Sequence, residues 1–376
     1  MAMNQYFATV AKGLEPRLVE ELPQLGGKDV EAGFCGAQFK GDLALLYTVN
    51  LWARLPFRIL LRIDTFDCET GDDLFTGVQR TDWSQYLTPD QTLAVTATGK
   101  TEALNHTHFT SLQVKNAIGS QQTKMFGERS DVDTHHPDLR INVHLRHDRA
   151  TLSLDSSGDS LHRRGYRPAV GSAPLKESLA SALIQMSGWQ PEQAFFDPLC
   201  GSGTLPLEAS MRSLNIAPGL FRERFGFESW QNYDDDLWEA LIAKAEGQQK
   251  HELPAFIGGS DRDPNVLIQA SSNARESGVE HLVQLRQCEL AEVEAPADSG
   301  ILICNPPYGE RLGKEADLGA FYKLLGNVLK QRFKGWTAYV LSGNKELSRN
   351  IRLKSASRTP VYNGSLLCQL MRYDLY

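Results

Sequence analysis

The feature that most constrains the fold is a regular alternation of apolar strand-like runs and helical segments from residue 175 onward. Runs such as AFFDPL, AFIGGSD, GILICNPPY and TAYVLSG are separated by stretches whose apolar residues recur at helical spacing. Strands and helices that alternate in this way build a doubly wound, mostly parallel sheet. We therefore predict an α/β domain of this kind over residues 175–376, closed by a final edge-hairpin strand at SLLCQLMRYDLY.

The first 160 residues show a different, mixed α+β pattern. Residues 1–65 read in the order β-α-β-β-α-β, with a helix from about Leu14 to Leu25, which predicts a small ferredoxin-like unit. Residues 66–160 contain runs at 92–99 and 139–158 that alternate with period two, as half-buried strands do, and a helix between them. Residues 161–174, rich in Gly, Ser, Arg and Pro, are the predicted linker to the C-terminal domain.

Composition limits the cellular compartment and the kinds of binding partner that we expect for this protein. No run approaches the ~18 apolar residues that span a bilayer, and the N-terminus lacks the pattern of a secretory signal. The six cysteines form no C-x-x-C pair, so we expect reduced thiols in a cytoplasmic protein, with no metal site and no membrane contact. A net charge of −7 disfavours nucleic acid as a partner but leaves room for a local basic patch, such as HRRGYR at 162–167.

The first candidate site is FFDPLCGSGTLPLEA, residues 195–209. Gly201 and Gly203 allow a ligand to approach the backbone closely, and the following helix offers free N–H groups, although a tight turn without a ligand explains the glycines equally well. Pro206 replaces the third glycine of a dinucleotide-binding turn, and no P-loop lysine follows, so NAD and ATP are disfavoured. The carboxylate of Asp197 favours a cationic or amine-bearing ligand instead.

Acidic residues end the next two predicted strands. Asp261 stands at the carboxyl end of the second strand, where doubly wound folds bind ribose hydroxyls, whereas Asp263 is better explained as a helix cap. Glu289 ends the third strand, where an acceptor suits an adenine amino group, and a solvated loop carboxylate is an equal alternative.

The fourth candidate is CNPPYGERLG, residues 304–313, at the end of the fourth predicted strand. The Asn305 side chain and the Pro306 carbonyl present acceptors on a rigid frame, because the two prolines remove N–H donors and fix φ. A planar group that carries an NH2 fits such acceptors, and Tyr308 is placed to stack on it. A Pro-rich turn in which Asn305 makes a local hydrogen bond is the alternative.

Together these motifs resemble a known family. DPLCGSGT (197–204) combined with NPPY (305–308) resembles the S-adenosylmethionine-dependent methyltransferases that act on amino groups. LHRRGYRPAVGSAPLKESLASALI (161–184) resembles the junction between an RNA-binding THUMP domain and a Rossmann-like methyltransferase domain, which the resemblance places at residues 66–160 and 175–376. The whole chain is similar to the N-terminal half of bifunctional large-subunit ribosomal RNA methyltransferases of proteobacteria, the half that makes N2-methylguanine.

The resemblance implies roles for individual residues. It assigns cofactor binding to Asp197, Pro198, Gly201, Gly203, Thr204, Asp261, Glu289 and Asn305. It assigns the target amine to Asn305, Pro306, Pro307 and Tyr308. Glu289 departs from the family, which more often has Asp there, and Lys176 and Glu177 are weaker candidates for cofactor contact.

The resemblance also implies that the N-terminal 160 residues hold structured ribosomal RNA while the target base leaves its stack. The predicted phosphate contacts are Arg163, Arg164, Arg167, Lys115 and Lys124, each of which a solvated surface charge explains at least as well. A THUMP-type tRNA guanine-N2 methyltransferase is the main alternative. NPPY also fits a DNA adenine methyltransferase, and a non-catalytic RNA-binding protein is the alternative from another class, disfavoured by the intact motifs.

Overall fold

The structure is a computed structural model that describes residues 3–167, 175–308 and 315–376, which form two seven-stranded sheets. Residues 168–174 of the predicted linker and residues 309–313 of CNPPYGERLG lie outside the described residues. The strands of the first sheet are β1 (Asn4–Thr9), β2 (Lys28–Gly33), β3 (Gly36–Gly41), β4 (Arg58–Asp67), β5 (Leu93–Gly99), β6 (Leu139–Arg146) and β7 (Arg149–Asp155). The strands of the second are β8 (Ala194–Asp197), β9 (Ile257–Asp261), β10 (Gln284–Gln287), β11 (Gly300–Cys304), β12 (Trp336–Ser342), β13 (Ser357–Asn363) and β14 (Leu366–Asp374).

Helices precede or follow most of these strands in the described ranges. The N-terminal helices are α1 (Glu15–Gln24), α2 (Leu43–Trp52), α3 (Gly71–Val78) and α4 (Thr107–Phe126). The C-terminal helices are α5 (Glu177–Ser187), α6 (Thr204–Ser213), α7 (Asp235–Gly247), α8 (Pro264–Glu276), α9 (Glu315–Arg332) and α10 (Lys345–Arg349). The predicted helix from Leu14 to Leu25 is α1, which buries Leu18 and Leu22 and is followed by Gly26 in the left-handed region.

The first sheet has the strand order β2-β3-β1-β4-β7-β6-β5. Its first four strands, with α1 and α2, confirm the predicted ferredoxin-like unit. The sheet then continues through the antiparallel pairing of β4 with β7, in which Leu60 lies opposite Asp155. The two N-terminal units therefore share one continuous sheet, and the predicted division at residue 65 falls inside β4.

The second sheet has the order β10-β9-β8-β11-β12-β14-β13. The strands from β10 to β12 are parallel, and β14 and β13 are antiparallel additions at one edge. This confirms the doubly wound α/β fold and the closing hairpin. The chain order reverses between β8 and β11, and ligands of such sheets bind beyond the carboxyl ends of the strands at this reversal.

An aromatic cluster joins the first sheet to the C-terminal domain. Tyr47 of α2 stacks on Phe227 with ring centroids 4.4 Å apart, and Trp238 of α7 meets both rings edge-on. The Tyr47 hydroxyl accepts a hydrogen bond from the Asp234 backbone N–H at 3.0 Å. Aromatic pairs of this geometry add about 0.5–1.5 kcal/mol each beyond their buried area, so they hold the two parts together.

A buried ionic cluster forms a further contact between these parts. Glu208 of α6 accepts hydrogen bonds from Ser181 at 2.5 Å and Tyr166 at 3.2 Å, and its carboxylate lies 3.6 Å from Arg164 and 4.0 Å from Arg54. Arg164 is only 2% exposed. It donates to the backbone carbonyls of Arg54 and Leu161, so its guanidinium is committed inside the protein. This corrects the prediction that Arg164 contacts RNA phosphate, because a buried, bonded guanidinium cannot reach one.

All six cysteines are free thiols. No helix in the described ranges is long and apolar enough to cross a bilayer. Among the described side chains, no group of three or more His, Cys, Asp or Glu is arranged to hold a metal ion.

Candidate functional site

Four of the predicted site residues end four neighbouring strands of the second sheet. Glu289 follows β10, Asp261 ends β9, Asp197 ends β8 and Asn305 follows β11. Neighbouring strands lie about 4.8 Å apart, so three steps place the ends of this row about 14 Å from each other. The fold therefore brings these residues to one edge. Their order suits one elongated ligand along the strand ends and a second, separate ligand group at the Asn305 end.

The turn between β8 and α6 has a backbone that requires glycine. Gly201 has φ of 51° and Gly203 has φ of 83°, both in the left-handed region. The turn lies directly on β9, because the Cys200 N–H donates to the Ser260 carbonyl at 2.9 Å. A Cβ on Gly259 would lie 2.6 Å from the Cys200 Cβ, so that glycine permits the close approach. Pro198 follows β8 directly, and Thr204 is the first residue of α6.

Asp197 is a buried carboxylate without a cationic partner among the described residues. Its side chain is 2% exposed and accepts a hydrogen bond from the Leu199 N–H at 3.0 Å. Burial raises the pKa of Asp197 well above its usual value, and the negative charge of Asp261 raises that pKa further. A cation bound here would restore the ionised form, so the site favours a positively charged ligand.

Asp261 is half-buried and already supports the turn. Its two carboxylate oxygens accept from the backbone N–H groups of Gly201 and Asp263, each at 3.0 Å. Asp263 in turn caps α8 by accepting from the Asn265 N–H at 2.9 Å, which confirms its interpretation as a helix cap. Glu289 is exposed at the start of a short 3₁₀ helix, and its contact with adenine stays a prediction.

The Asn305 side chain has a buried oxygen, Oδ1, without a hydrogen-bond partner among the described residues. This excludes the local turn hydrogen bond as an explanation for that oxygen within the described part of the chain. A buried acceptor left unsatisfied costs about 1–3 kcal/mol, so its presence calls for a ligand that donates to it. Pro306 beside it is buried and Pro307 is half-buried, which leaves a rigid, donor-poor frame.

Tyr308 is fixed by residues that sequence reasoning missed. Its hydroxyl accepts a hydrogen bond from the Asn363 Nδ2 at 2.8 Å, at the end of β13. Its ring packs on Gly343, where a Cβ would come within 3.0 Å of ring carbons. Burial raises the pKa of Tyr308 to about 12, so the phenol stays neutral near pH 7 and cannot act as a base there.

The predicted RNA contacts are not brought together in one place. Lys115 and the exposed Lys124 lie on α4, and the exposed Arg163 lies near the C-terminal domain. Arg167, predicted as a further phosphate contact, instead has a side chain only 9% exposed that bonds to Glu177 and to the β8–α6 turn. This corrects the prediction for Arg167, because its hydrogen-bonding groups already have partners.

The two weaker candidates for cofactor contact at the start of α5 also have other partners. Glu177 is buried and ion-paired with Arg167 at 3.0 Å. The Lys176 Nζ lies 5.2 Å from the centroid of the Phe57 ring.

A cleft of about 840 Å³ lies between residues 66–160, here called the THUMP-like unit, and the C-terminal domain. Seven of its lining residues are Lys or Arg and four are Asp or Glu, a net of about +3 in a chain whose net charge is −7. The pKa of His162 in this cleft falls to about 4, because of burial first and then the charges of Lys176, Arg164, Arg163 and Arg222. The cleft is therefore electropositive and suited to an anionic partner.

Family models match three consecutive parts of the chain. A ferredoxin-like domain model matches residues 5–60 and a THUMP domain model matches residues 68–155. A model described as RMKL-like, methyltransferase domain, matches residues 164–372, more than half of the chain.

Individual proteins are similar to this chain over its full length. A candidate RNA methyltransferase of Synechocystis sp. is 51% identical over 99% of this chain and 97% of its own length. A ribosomal RNA large subunit methyltransferase K/L of Syntrophotalea carbinolica is 40% identical, and this chain spans 53% of its length. A crystal structure of SMU.472, a candidate methyltransferase complexed with SAH, superposes with a TM-score of 0.90 at 32% identity, covering 100% of this chain and 99% of that one.

Proposed function

Because the chain belongs to the RMKL-like methyltransferase family, we propose that it methylates the exocyclic N2 of a guanine in large-subunit ribosomal RNA, with S-adenosylmethionine as methyl donor. The observation that carries the proposal is the buried Oδ1 of Asn305 at the end of β11, which has no hydrogen-bond partner among the described residues. An exocyclic amine supplies the donor that this oxygen lacks. A substrate of this kind would place the enzyme in the cytoplasm.

The carboxylates at the strand ends suit the cofactor. Asp197 would hold the cationic methionine portion, since its buried carboxylate has no positive partner among the described residues. Asp261 would hold the ribose and Glu289 the adenine, which follows the spatial order of β8, β9 and β10. The bound cofactor supplies an electrophilic methyl group on a sulfonium. Gly201 and Gly203, both with φ in the left-handed region, set the path of the turn that would lie beside this portion.

The residues at the β11 end would orient and activate the amine. A guanine N2 is a poor nucleophile because its lone pair is delocalised into the ring. Hydrogen bonds from its two N–H groups to Asn305 Oδ1 and the Pro306 carbonyl would fix its direction and favour positive charge that develops on nitrogen. The methylated amine is acidic and loses its proton to solvent, which suits a site where the neighbouring Tyr308 stays neutral.

The electropositive cleft would receive the RNA backbone. Its position between the THUMP-like unit and the methyltransferase domain lets one RNA contact both. Arg163 lines this cleft and is exposed, so its guanidinium could meet a phosphate. Stacking on Tyr308 would offset part of the few kcal/mol needed to take the base out of its stack.

Methyl transfer from labelled S-adenosylmethionine to separated RNA fractions tests the choice of RNA. The fractions come from a strain that lacks the gene, so that the target guanine is unmethylated. We expect label in large-subunit RNA and none in tRNA. Label in tRNA alone would move the activity to the alternative substrate, and label in neither would contradict the proposal.

A further inference from the structure

Arg167 connects three segments of the chain around the proposed cofactor turn. One guanidinium nitrogen, Nη1, donates to the Leu175 carbonyl at 3.1 Å and to Glu177 Oε1 at 3.0 Å. The other, Nη2, donates to Ser202 Oγ at 3.0 Å and to Thr204 Oγ1 at 2.9 Å. The side chains of Arg167 and Glu177 are only 9% and 7% exposed, so this contact is almost dry.

The backbone of this turn is held to β9 by the Asp261 carboxylate and the Ser260 carbonyl, whereas its two hydroxyl side chains are held by Arg167. Its backbone passes through two left-handed glycines, which allow many conformations in the absence of restraints. Arg167 holds the hydroxyls of Ser202 and Thr204 on one side, and Asn273 Nδ2 donates to the Ser202 carbonyl at 3.0 Å on the other. A turn fixed before the ligand arrives avoids the cost of being ordered on binding.

We propose that Arg167 is a positioning residue that preorganises the Ser202–Thr204 turn for S-adenosylmethionine, an inference that rests on the proposed function. Glu177 holds the guanidinium in the orientation that reaches both hydroxyls. The planar fork of arginine spans these acceptors at fixed angles, whereas the single ammonium of lysine cannot serve both pairs at once. Within the basic segment 162–167, Arg163 is thus exposed to solvent, whereas Arg167 is directed to the cofactor turn.

Binding of S-adenosylhomocysteine to the full chain without RNA tests the inference. We expect Arg167→Lys to raise the Kd for this ligand at least tenfold and the KM for S-adenosylmethionine similarly. RNA affinity and its dependence on salt should stay at wild-type values. Arg163→Gln is the matched control, with an unchanged Kd for S-adenosylhomocysteine and weaker, less salt-dependent RNA binding.

A double variant, Ser202→Ala with Thr204→Val, keeps the Arg167–Glu177 ion pair and removes the two hydroxyls. It should also weaken S-adenosylhomocysteine binding at least tenfold, while a cooperative urea transition with a folded baseline in the absence of urea separates positioning from loss of folding. A Kd within twofold of wild type in both the Arg167→Lys and the double variant would overturn the inference alone. Failure of the wild-type chain to bind the ligand would overturn the inference and the proposed function together.

Discussion

Replacing Asn305 with alanine should separate activity from stability. In the free protein Oδ1 is buried without a partner among the described residues, a condition that costs about 1–3 kcal/mol. Removing this oxygen relieves the cost and also removes a few packing contacts. We therefore expect the free energy of unfolding to stay constant or rise by up to about 1 kcal/mol. Methyl transfer should fall about 100- to 1000-fold, as when one preorganised hydrogen-bond partner of a transition state is removed.

Urea unfolding of the cofactor-free protein and single-turnover methyl transfer measure the two effects. Asn50 provides the matched control, because it is 1% exposed and fully bonded. Its Nδ2 donates to Leu46 and Ser156, and its Oδ1 accepts from Ser157. Asn50→Ala should lower the free energy of unfolding by about 1–3 kcal/mol. An equal loss of stability in Asn305→Ala, or methyl transfer at the wild-type rate, would refute the reasoning.

Three further predictions concern charged and titratable groups. The affinity of the wild-type protein for S-adenosylmethionine should rise with pH as Asp197 ionises, at a pH above the ordinary aspartate pKa of about 4. Calorimetry should show that this pH dependence is lost in Asp197→Asn. Glu208→Ala should lower the free energy of unfolding by about 3–5 kcal/mol in urea titrations, because it leaves Arg164 buried without its carboxylate; an effect below about 1 kcal/mol would contradict this. His162 has a pKa of about 4 in the folded chain and about 6.5 when unfolded, so the unfolded state takes up the proton first. Stability should therefore fall as pH drops from about 6.5 to 4, and His162→Gln should flatten that part of the urea-midpoint profile.

The sequence was sufficient to predict the C-terminal sheet and the row of residues at its edge. Strands and helices alternate there with clear periodicity, and parallel strands necessarily bring their carboxyl ends to the same edge. Asp197, Asp261 and Asn305 could therefore be placed together from their positions after apolar runs. The prediction that Asn305 acts as an acceptor followed from its side-chain oxygen and the two prolines after it, and the structure adds that this oxygen is buried and unpartnered among the described residues.

The sequence could not show which charges are buried. HRRGYR reads as a surface patch, yet Arg164 and Arg167 point inward to acceptors that lie far along the chain, such as Glu208 and Thr204. Charge and local spacing carry no information on such long-range partners, because only tertiary packing decides which guanidinium is desolvated.

The same limit applies to the partner of Tyr308 and to the shared N-terminal sheet. Asn363, which holds the Tyr308 hydroxyl, is 55 residues further along the chain. The pairing of β4 with β7 joins residues as far as 95 positions apart, such as Leu60 and Asp155, so two predicted units proved to share one sheet.

Nucleoside mass spectrometry of methylated RNA tests the central claim most directly. Large-subunit RNA from a strain without the gene is incubated with S-adenosylmethionine and either the wild-type protein or Asn305→Ala, then digested to nucleosides. We predict one new N2-methylguanosine with the wild-type protein and at least a hundredfold less with Asn305→Ala. A product methylated on adenine, or on a ring nitrogen of guanine, would contradict the claim that Asn305 and Pro306 hold the exocyclic amine of a guanine.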